Sequence, residues 1–248
     1  MERIMRIESL LEMRNRVIQA LASMLLVCAA ALPSVALAQA QALGLTWKGY
    51  ADTDLAFSEF FAGNHTLAAR FMPQFPNAYQ GPLVAERGSG QFFLGQGDYG
   101  PSTATTLLLK VGSVSRNYPA ALVAGRWTHV AITATTSGSQ RVFTVFVNGV
   151  ALANPLSVSA MDAQLPSGTL RFGKRTSGQT VDGRDAQFYG FVDDVAVFKR
   201  ALLPTEITDL NSRLDLTVNP PAGLLAGYVF NLGSVPAAFN RSLTLGGS

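Results

Sequence analysis

The segment Arg141-Val142-Phe143-Thr144-Val145-Phe146-Val147-Asn148-Gly149-Val150 constrains the fold of this chain more than any other. Val142, Thr144 and Phe146 alternate with Phe143, Val145 and Val147, and both sets are largely apolar. A strand of that kind is buried on both faces or central to a sheet. Asn148-Gly149 then supplies the positive φ angles of a type I′ turn, which sets a hairpin and antiparallel pairing. Similar short β-branched or aromatic runs, separated by Gly, Pro, Ser and Asn, recur from Leu43 onward. They predict strands at Leu43–Trp47, Asp54–Phe57, His65–Met72, Leu83–Ala85, Gln91–Leu94 and Thr106–Val111. Further strands are expected at Thr128–Thr135, Arg141–Asn148, Thr169–Phe172 and Gln187–Phe198. One helix is expected: Pro204 suits a first helical position, Glu206 its first turn, and Ile207, Leu210 and Leu214 share a face. Leu203 is a poor N-cap, so that helix is short. About ten strands and one short helix near the C-terminal end describe an all-β, two-sheet antiparallel jelly-roll sandwich.

Residues 1–38 are expected to be removed before folding. Arg14 and Arg16 precede an apolar stretch from Val17 to Ala38, which ends in Val35-Ala36-Leu37-Ala38. A basic start, an apolar centre and an Ala-x-Ala exit make a secretory signal peptide, so the protein is expected to be secreted. Pro33 interrupts the stretch and no stop-transfer charges follow, so no membrane span remains after cleavage. Met13 is an expected alternative translation start, because residues 1–12 add nothing that such a signal needs. The one cysteine of the chain, Cys28, lies in this segment behind Val27, where lipid anchoring needs a small residue. The remaining chain therefore has neither a disulfide nor a thiolate zinc site, and it holds by burial alone. The whole chain has 19 Lys+Arg and 16 Asp+Glu; residues 1–38 hold four and three of these, leaving 15 against 13. A net charge of +2 is no nucleic-acid footprint.

Four blocks, in order, carry a resemblance. Gly125-Arg126-Trp127-Thr128-His129-Val130-Ala131-Ile132-Thr133 is followed by Val145-Phe146-Val147-Asn148-Gly149-Val150 and Leu170-Arg171-Phe172-Gly173. Phe188-Tyr189-Gly190-Phe191-Val192-Asp193-Asp194-Val195-Ala196-Val197-Phe198-Lys199-Arg200-Ala201-Leu202 completes them and leads into the helix. These resemble the WxHVAxT strand, the LYVNGV hairpin, the LxIG strand and the FxGxIDDVRIYxRAL segment of laminin-G-like, concanavalin A-like jelly rolls. His65-Thr66-Leu67-Ala68-Ala69-Arg70-Phe71 is similar to the FTISAWV strand of that family, with Arg70 in place of its usual Trp. The resemblance covers residues 43–214. It implies a family of glycan- or protein-binding modules, adhesion modules and glucanases, so the fold alone does not give the function.

A related glucanase would need closely spaced carboxylates in an ExDxxE pattern. After residue 38 the only glutamates are Glu59, Glu86 and Glu206, and none has such neighbours, so no enzyme is expected. Gly95-Gln96-Gly97-Asp98-Tyr99-Gly100 matches GxGxxG by letter, but Pro101 and a Thr-rich strand follow where a dinucleotide site needs a helix. There is no GxSxG elbow, and His65 and His129 both fall in strands. Asp193 shares parity with Phe191, Val195 and Val197, and a carboxylate among core residues needs strong donors or a cation. Family members hold a structural calcium near that strand, so the resemblance implies Asp52 and Asp193 as metal ligands. The alternative is a polar network with arginine or backbone N–H groups.

Sugar binding asks for aromatic faces beside polar groups. Asp98, Tyr99, Tyr118 and Arg175 fall in loop-like stretches and are the candidate ligand contacts, whereas the position of Trp127 suits a core anchor. Asn219-Pro220-Pro221-Ala222-Gly223 reads as a linker. The segment 223–234 after it resembles the opening strand of another laminin-G-like unit, which either completes this sandwich or begins a further, truncated unit. The functional expectation is a secreted non-catalytic module recognising a polysaccharide or surface glycan, with calcium as a structural ion. The alternative is an adhesion or spacer module that contacts an extracellular protein.

Overall fold

The computed structural model describes residues 42–45, 49–74, 82–88, 90–96, 106–120, 122–159, 166–174, 180–181, 184–185, 188–213, 219, 221–230 and 243–246. The expected signal peptide, residues 1–38, lies outside them. In chain order the first strands are β1 (Leu43–Leu45), β2 (Tyr50–Ala56), β3 (His65–Pro73), β4 (Pro82–Arg87), β5 (Phe92–Gln96) and β6 (Leu107–Val111). Next come β7 (Val114–Tyr118), β8 (Thr128–Ser137), β9 (Gln140–Val147), β10 (Val150–Ala151), β11 (Leu156–Ser159) and β12 (Thr169–Phe172). The last are β13 (Thr180–Val181), β14 (Arg184–Asp185), β15 (Gly190–Phe198), β16 (Leu224–Tyr228) and β17 (Leu243–Gly246), with helix α1 (Pro204–Ser212) between β15 and β16.

Two antiparallel sheets make the sandwich. Sheet A runs β1-β15-β3-β8-β9-β10, with β16 also on β15 and β11 also on β9; sheet B runs β17-β2-β12-β4-β5-β6-β7. A separate ribbon pairs β13 with β14. The expected hairpin is present: Val150 pairs with Val147, and Asn148 and Gly149 have φ of +49° and +81°. The strand before it is central, flanked by β8 and by β10 and β11, and this explains its apolar residues on both faces. Val114–Tyr118 and Leu156–Ser159 are strands that hydrophobic alternation does not announce. Both sit at sheet margins, where polar residues such as Arg116 and Asn117 face solvent. Asp54–Phe57 is displaced: β2 begins earlier at Tyr50, and Phe57–Glu59 form a 3₁₀ turn.

Between the sheets lies one core. Sheet A contributes Leu67, Phe71, Val130, Ile132, Phe143, Val145 and Val195, and sheet B contributes Leu55, Val84, Leu94, Leu109 and Phe172. Phe57, Phe61 and Phe92 meet at one end of it, with ring centroids 5.3–5.5 Å apart.

A second core lies on the outer face of sheet A. Ala68, Ala131, Phe146 and Ala196 have the opposite strand parity to the inter-sheet residues, and they pack with Phe198, Leu202, Ile207 and Leu210. The three alanines leave room for α1 to approach the sheet. Burying Ile207 and Leu210 contributes about 1.5–3 kcal/mol each. Glu206 compensates for the weak cap at Leu203: its carboxylate accepts from the Leu203 N–H at 2.8 Å and from both Arg200 amino groups at 2.7 and 2.6 Å. The Arg200 hydrogen bonds, with the Leu203 N–H second, hold the Glu206 pKa at about 2.

Candidate functional site

The outer face of sheet A is covered only as far as α1 reaches. A nine-residue helix is roughly 13 Å long. It lies over the row Ala196–Ala68–Ala131–Phe146, and its C-terminal end meets the next row, Asp193–Arg70–His129. Trp127 shares the parity of His129 and Ala131 and stands one pleat further along. It is therefore 37% exposed.

Its position is fixed from two sides. Val123, Ala124, Gly125 and Arg126 form a turn closed by the Arg126 N–H on the Val123 carbonyl at 3.1 Å. Gly125 has φ +71°, the left-handed geometry that a type II turn needs at its third residue. The Gly125 N–H also donates to the Pro73 carbonyl at 2.8 Å, tying the turn to the end of β3. On the other side Thr128 begins β8 and pairs with Phe71. The resulting pocket has a volume of about 390 Å³ and is lined by Val123, Arg126, Trp127, Thr128 and Asn148. Asn148 is held at the hairpin, where its Oδ1 accepts the His129 N–H at 3.0 Å, so its amide N–H₂ remains as a donor.

Beneath the helix end, Arg70 joins three elements. Its Nε donates to Asp194 Oδ2 at 3.0 Å, and its Nη2 donates to the carbonyls of Asn211 and Arg213, both at 2.8 Å. The cation thus caps the negative end of α1. Asp194 sits at a bulge in β15 with φ +51°. His129, opposite Arg70, is buried, and its Nδ1 has no hydrogen-bond partner among the described residues. Desolvation, then the Arg70 charge, lowers its pKa to about 4, so the ring is neutral.

The residues expected at a sugar site fare differently. Asp98, Tyr99 and Arg175 lie outside the described residues. Tyr118 is not on a loop: it ends β7, is 1% exposed and fills the inter-sheet core, so it offers no ring face to a ligand. Trp127, expected in the core, is the exposed aromatic among the described residues. Its parity was visible in the sequence, but the length over which α1 covers that face was not.

Asp52 is on β2 of sheet B and Asp193 on β15 of sheet A, and each carboxylate has its own partners. Asp52 is bound by Arg171, Nε to Oδ1 at 2.5 Å and Nη2 to Oδ2 at 2.8 Å, with the Arg87 Nε 3.5 Å from Oδ2. Arg171 also stacks over Tyr50, 4.2 Å from the ring centroid. Asp193 Oδ1 accepts backbone N–H groups of Asp194 and Phe230 at 2.8 and 3.5 Å, and burial raises its pKa. A carboxylate already neutralised by guanidinium groups is a poor calcium ligand, and this applies to Asp52. Among the described residues no three His, Cys, Asp or Glu side chains are grouped to hold a metal.

The three glutamates also have other work. Besides Glu206 at the helix start, Glu59 accepts the Ala56 N–H at 3.1 Å. Buried Glu86 accepts the N–H groups of Ser167, Gly168 and Gln91 at 3.1, 2.9 and 3.0 Å. No helix among the described residues is long and apolar enough to cross a membrane.

Comparison with known proteins agrees with this architecture. A candidate carbohydrate-binding protein from Bacteroides ovatus ATCC 8483 superposes with a TM-score of 0.58 at 17% identity, over 82% of this chain and 59% of that one. This chain therefore spans less than two thirds of that protein's length. The heptameric SAP-like pentraxin of Limulus polyphemus superposes with a TM-score of 0.54 at 16% identity, over 84% of this chain and 91% of the pentraxin. At such identities the likeness is one of fold. Curated protein sequences give no match. Residues 48–208, well over half of the chain, match the Laminin_G_3 family, and with its two-sheet jelly roll this protein belongs to the concanavalin A-like lectin/glucanases superfamily.

Proposed function

We propose that this protein is a secreted, non-catalytic carbohydrate-binding module, and that its ligand sits in the Trp127 pocket on the outer face of sheet A. The observation that carries the reading is an exposed indole held rigidly beside Arg126, Thr128 and Asn148 in one open pocket. A pyranose presents an apolar C–H face and a rim of hydroxyls, and it asks for this combination of aromatic surface and hydrogen-bonding groups. The turn and strand that fix Trp127 are already hydrogen-bonded, so little ordering is left to be done on binding. The carbohydrate-binding assignment of the Bacteroides ovatus relative supports the same reading. In this reading calcium has no role in the pocket, whose lining residues include no carboxylate.

The test is affinity electrophoresis of the purified protein through gels holding single polysaccharides, with calcium and with chelator. Retardation by at least one polymer is expected, unchanged by chelator and lost in Trp127→Ala. Retardation that persists in Trp127→Ala overturns the assignment of the pocket.

A further inference from the structure

We infer that the pocket is built for an acidic saccharide, a sugar carrying a carboxylate or sulfate, with Arg126 as the residue that selects it. This inference rests on the carbohydrate reading of the same pocket. Among the described arginine side chains, Arg126 and Arg116 are the two without a carboxylate or aromatic partner, and Arg116 lies on β7 of sheet B, outside the pocket. Arg70, Arg87, Arg171, Arg200 and Arg213 each face a carboxylate within 3.5 Å, on Asp194, Asp52, Asp52, Glu206 and Asp209 respectively. Arg141 lies over the rings of Phe61 and Phe143, 4.8 and 5.2 Å from their centroids. Arg126 is exposed, lines the pocket, and makes no side-chain hydrogen bond or ion pair among the described residues.

The pocket also has no carboxylate among its lining residues to compete for that guanidinium. Its other polar groups include a donor: with Asn148 Oδ1 spent on the His129 N–H, the amide presents N–H₂. The nearest described cation beneath the helix end, Arg70, is matched by Asp194 and by helix carbonyls, so Arg126 is the charge left to face a ligand. Guanidinium and amide donors beside an indole face suit an anionic group on a pyranose better than a neutral rim of hydroxyls. The fork of an arginine matches two oxygens of a carboxylate or sulfate, and such charge-assisted bonds are about twice as strong as neutral ones.

The experiment is isothermal titration of the purified protein against polygalacturonate, its methyl-esterified form, dextran sulfate and unmodified dextran, at low and at moderate salt. Binding is expected to polygalacturonate or to dextran sulfate, with roughly 10- to 100-fold preference over the uncharged counterpart. Which charged polymer binds tells carboxylate from sulfate. Arg126→Gln should remove that preference, Arg126→Lys should keep part of it, and both should unfold at the wild-type temperature because Arg126 is exposed. Trp127-dependent binding that favours the neutral polymers, or an acidic preference that survives Arg126→Gln, overturns the inference and leaves the carbohydrate reading standing. Binding insensitive to Trp127→Ala overturns the pocket itself. An absence of binding to all four polymers overturns the acidic ligand.

Discussion

The two outer faces of the sandwich use the same chemistry for different ends. Each carries an arginine–aspartate pair formed between adjacent strands, buried on sheet B and partly buried on sheet A. On sheet B, Arg171 and Asp52 are register partners, their groups meet through two parallel hydrogen bonds, and Tyr50 stacks on the guanidinium. On sheet A, Arg70 gives Asp194 only its Nε and spends Nη2 on the carbonyls that end α1. The first pair is closed on itself and ties strand to strand. The second is open, and its spare donor fastens a helix to a sheet. An ion pair's contribution to a fold thus depends less on the distance between the charges than on where the remaining donors go.

The largest effect should follow from Arg70→Met. It leaves the Asp194 carboxylate buried without its guanidinium and uncaps α1, so a loss of about 3–5 kcal/mol is expected in urea unfolding. Amide hydrogens of residues 204–212 should lose protection by more than this global change explains. Asp52→Asn keeps the shape and one acceptor, and Arg171 retains Tyr50, so about 1.5–3 kcal/mol is expected. Equal losses from both variants, with no selective exposure of α1, would erase the distinction between the closed and the open pair.

A smaller effect separates the faces by pH. Burial holds both His129, beside Arg70 on the outer face, and His65, beside Arg141 at the aromatic end of the core, at pKa values of about 4 against an ordinary 6.5. Between those values the unfolded chain binds more protons than the folded one. These histidines therefore make stability rise with pH over that window and fall as the medium is acidified. Their combined contribution to the slope approaches two protons, and His129→Gln should remove one of them. An unchanged slope would show that the ring beneath the helix end titrates freely. The smallest effect on stability belongs to Trp127→Ala, about 1 kcal/mol because the residue is only partly covered, although that change should abolish binding.

Strand identities were largely legible because the core side of each strand must be apolar. Thr169–Phe172 falls where the alternation puts it, and the hairpin at Asn148-Gly149 follows from two φ angles that few other residue pairs supply. What the sequence leaves unstated is which outer surface another element covers. Trp127 and Ala131 have the same parity, yet one is open and the other closed, because α1 ends between their rows. Tyr118 misleads in the opposite direction: flanked by polar Asn117 and by Pro119, it reads as a loop residue, but its parity in an edge strand turns the ring inward. Arg70 was visible as a departure from the family's usual Trp; the helix carbonyls it serves are about 140 residues away and share no local pattern with it.

The pairing of β2 carries a further consequence. Its Asp52 is bonded along one edge to Arg171 and along the other to Thr244, while β15 receives Leu43 at one end and Tyr228 at the other. A growing polypeptide cannot close either sheet until these late residues have been synthesised, since the strands that complete them come last. Such a chain stays open to proteases until residues 224–228 and 243–246 have joined the two sheets.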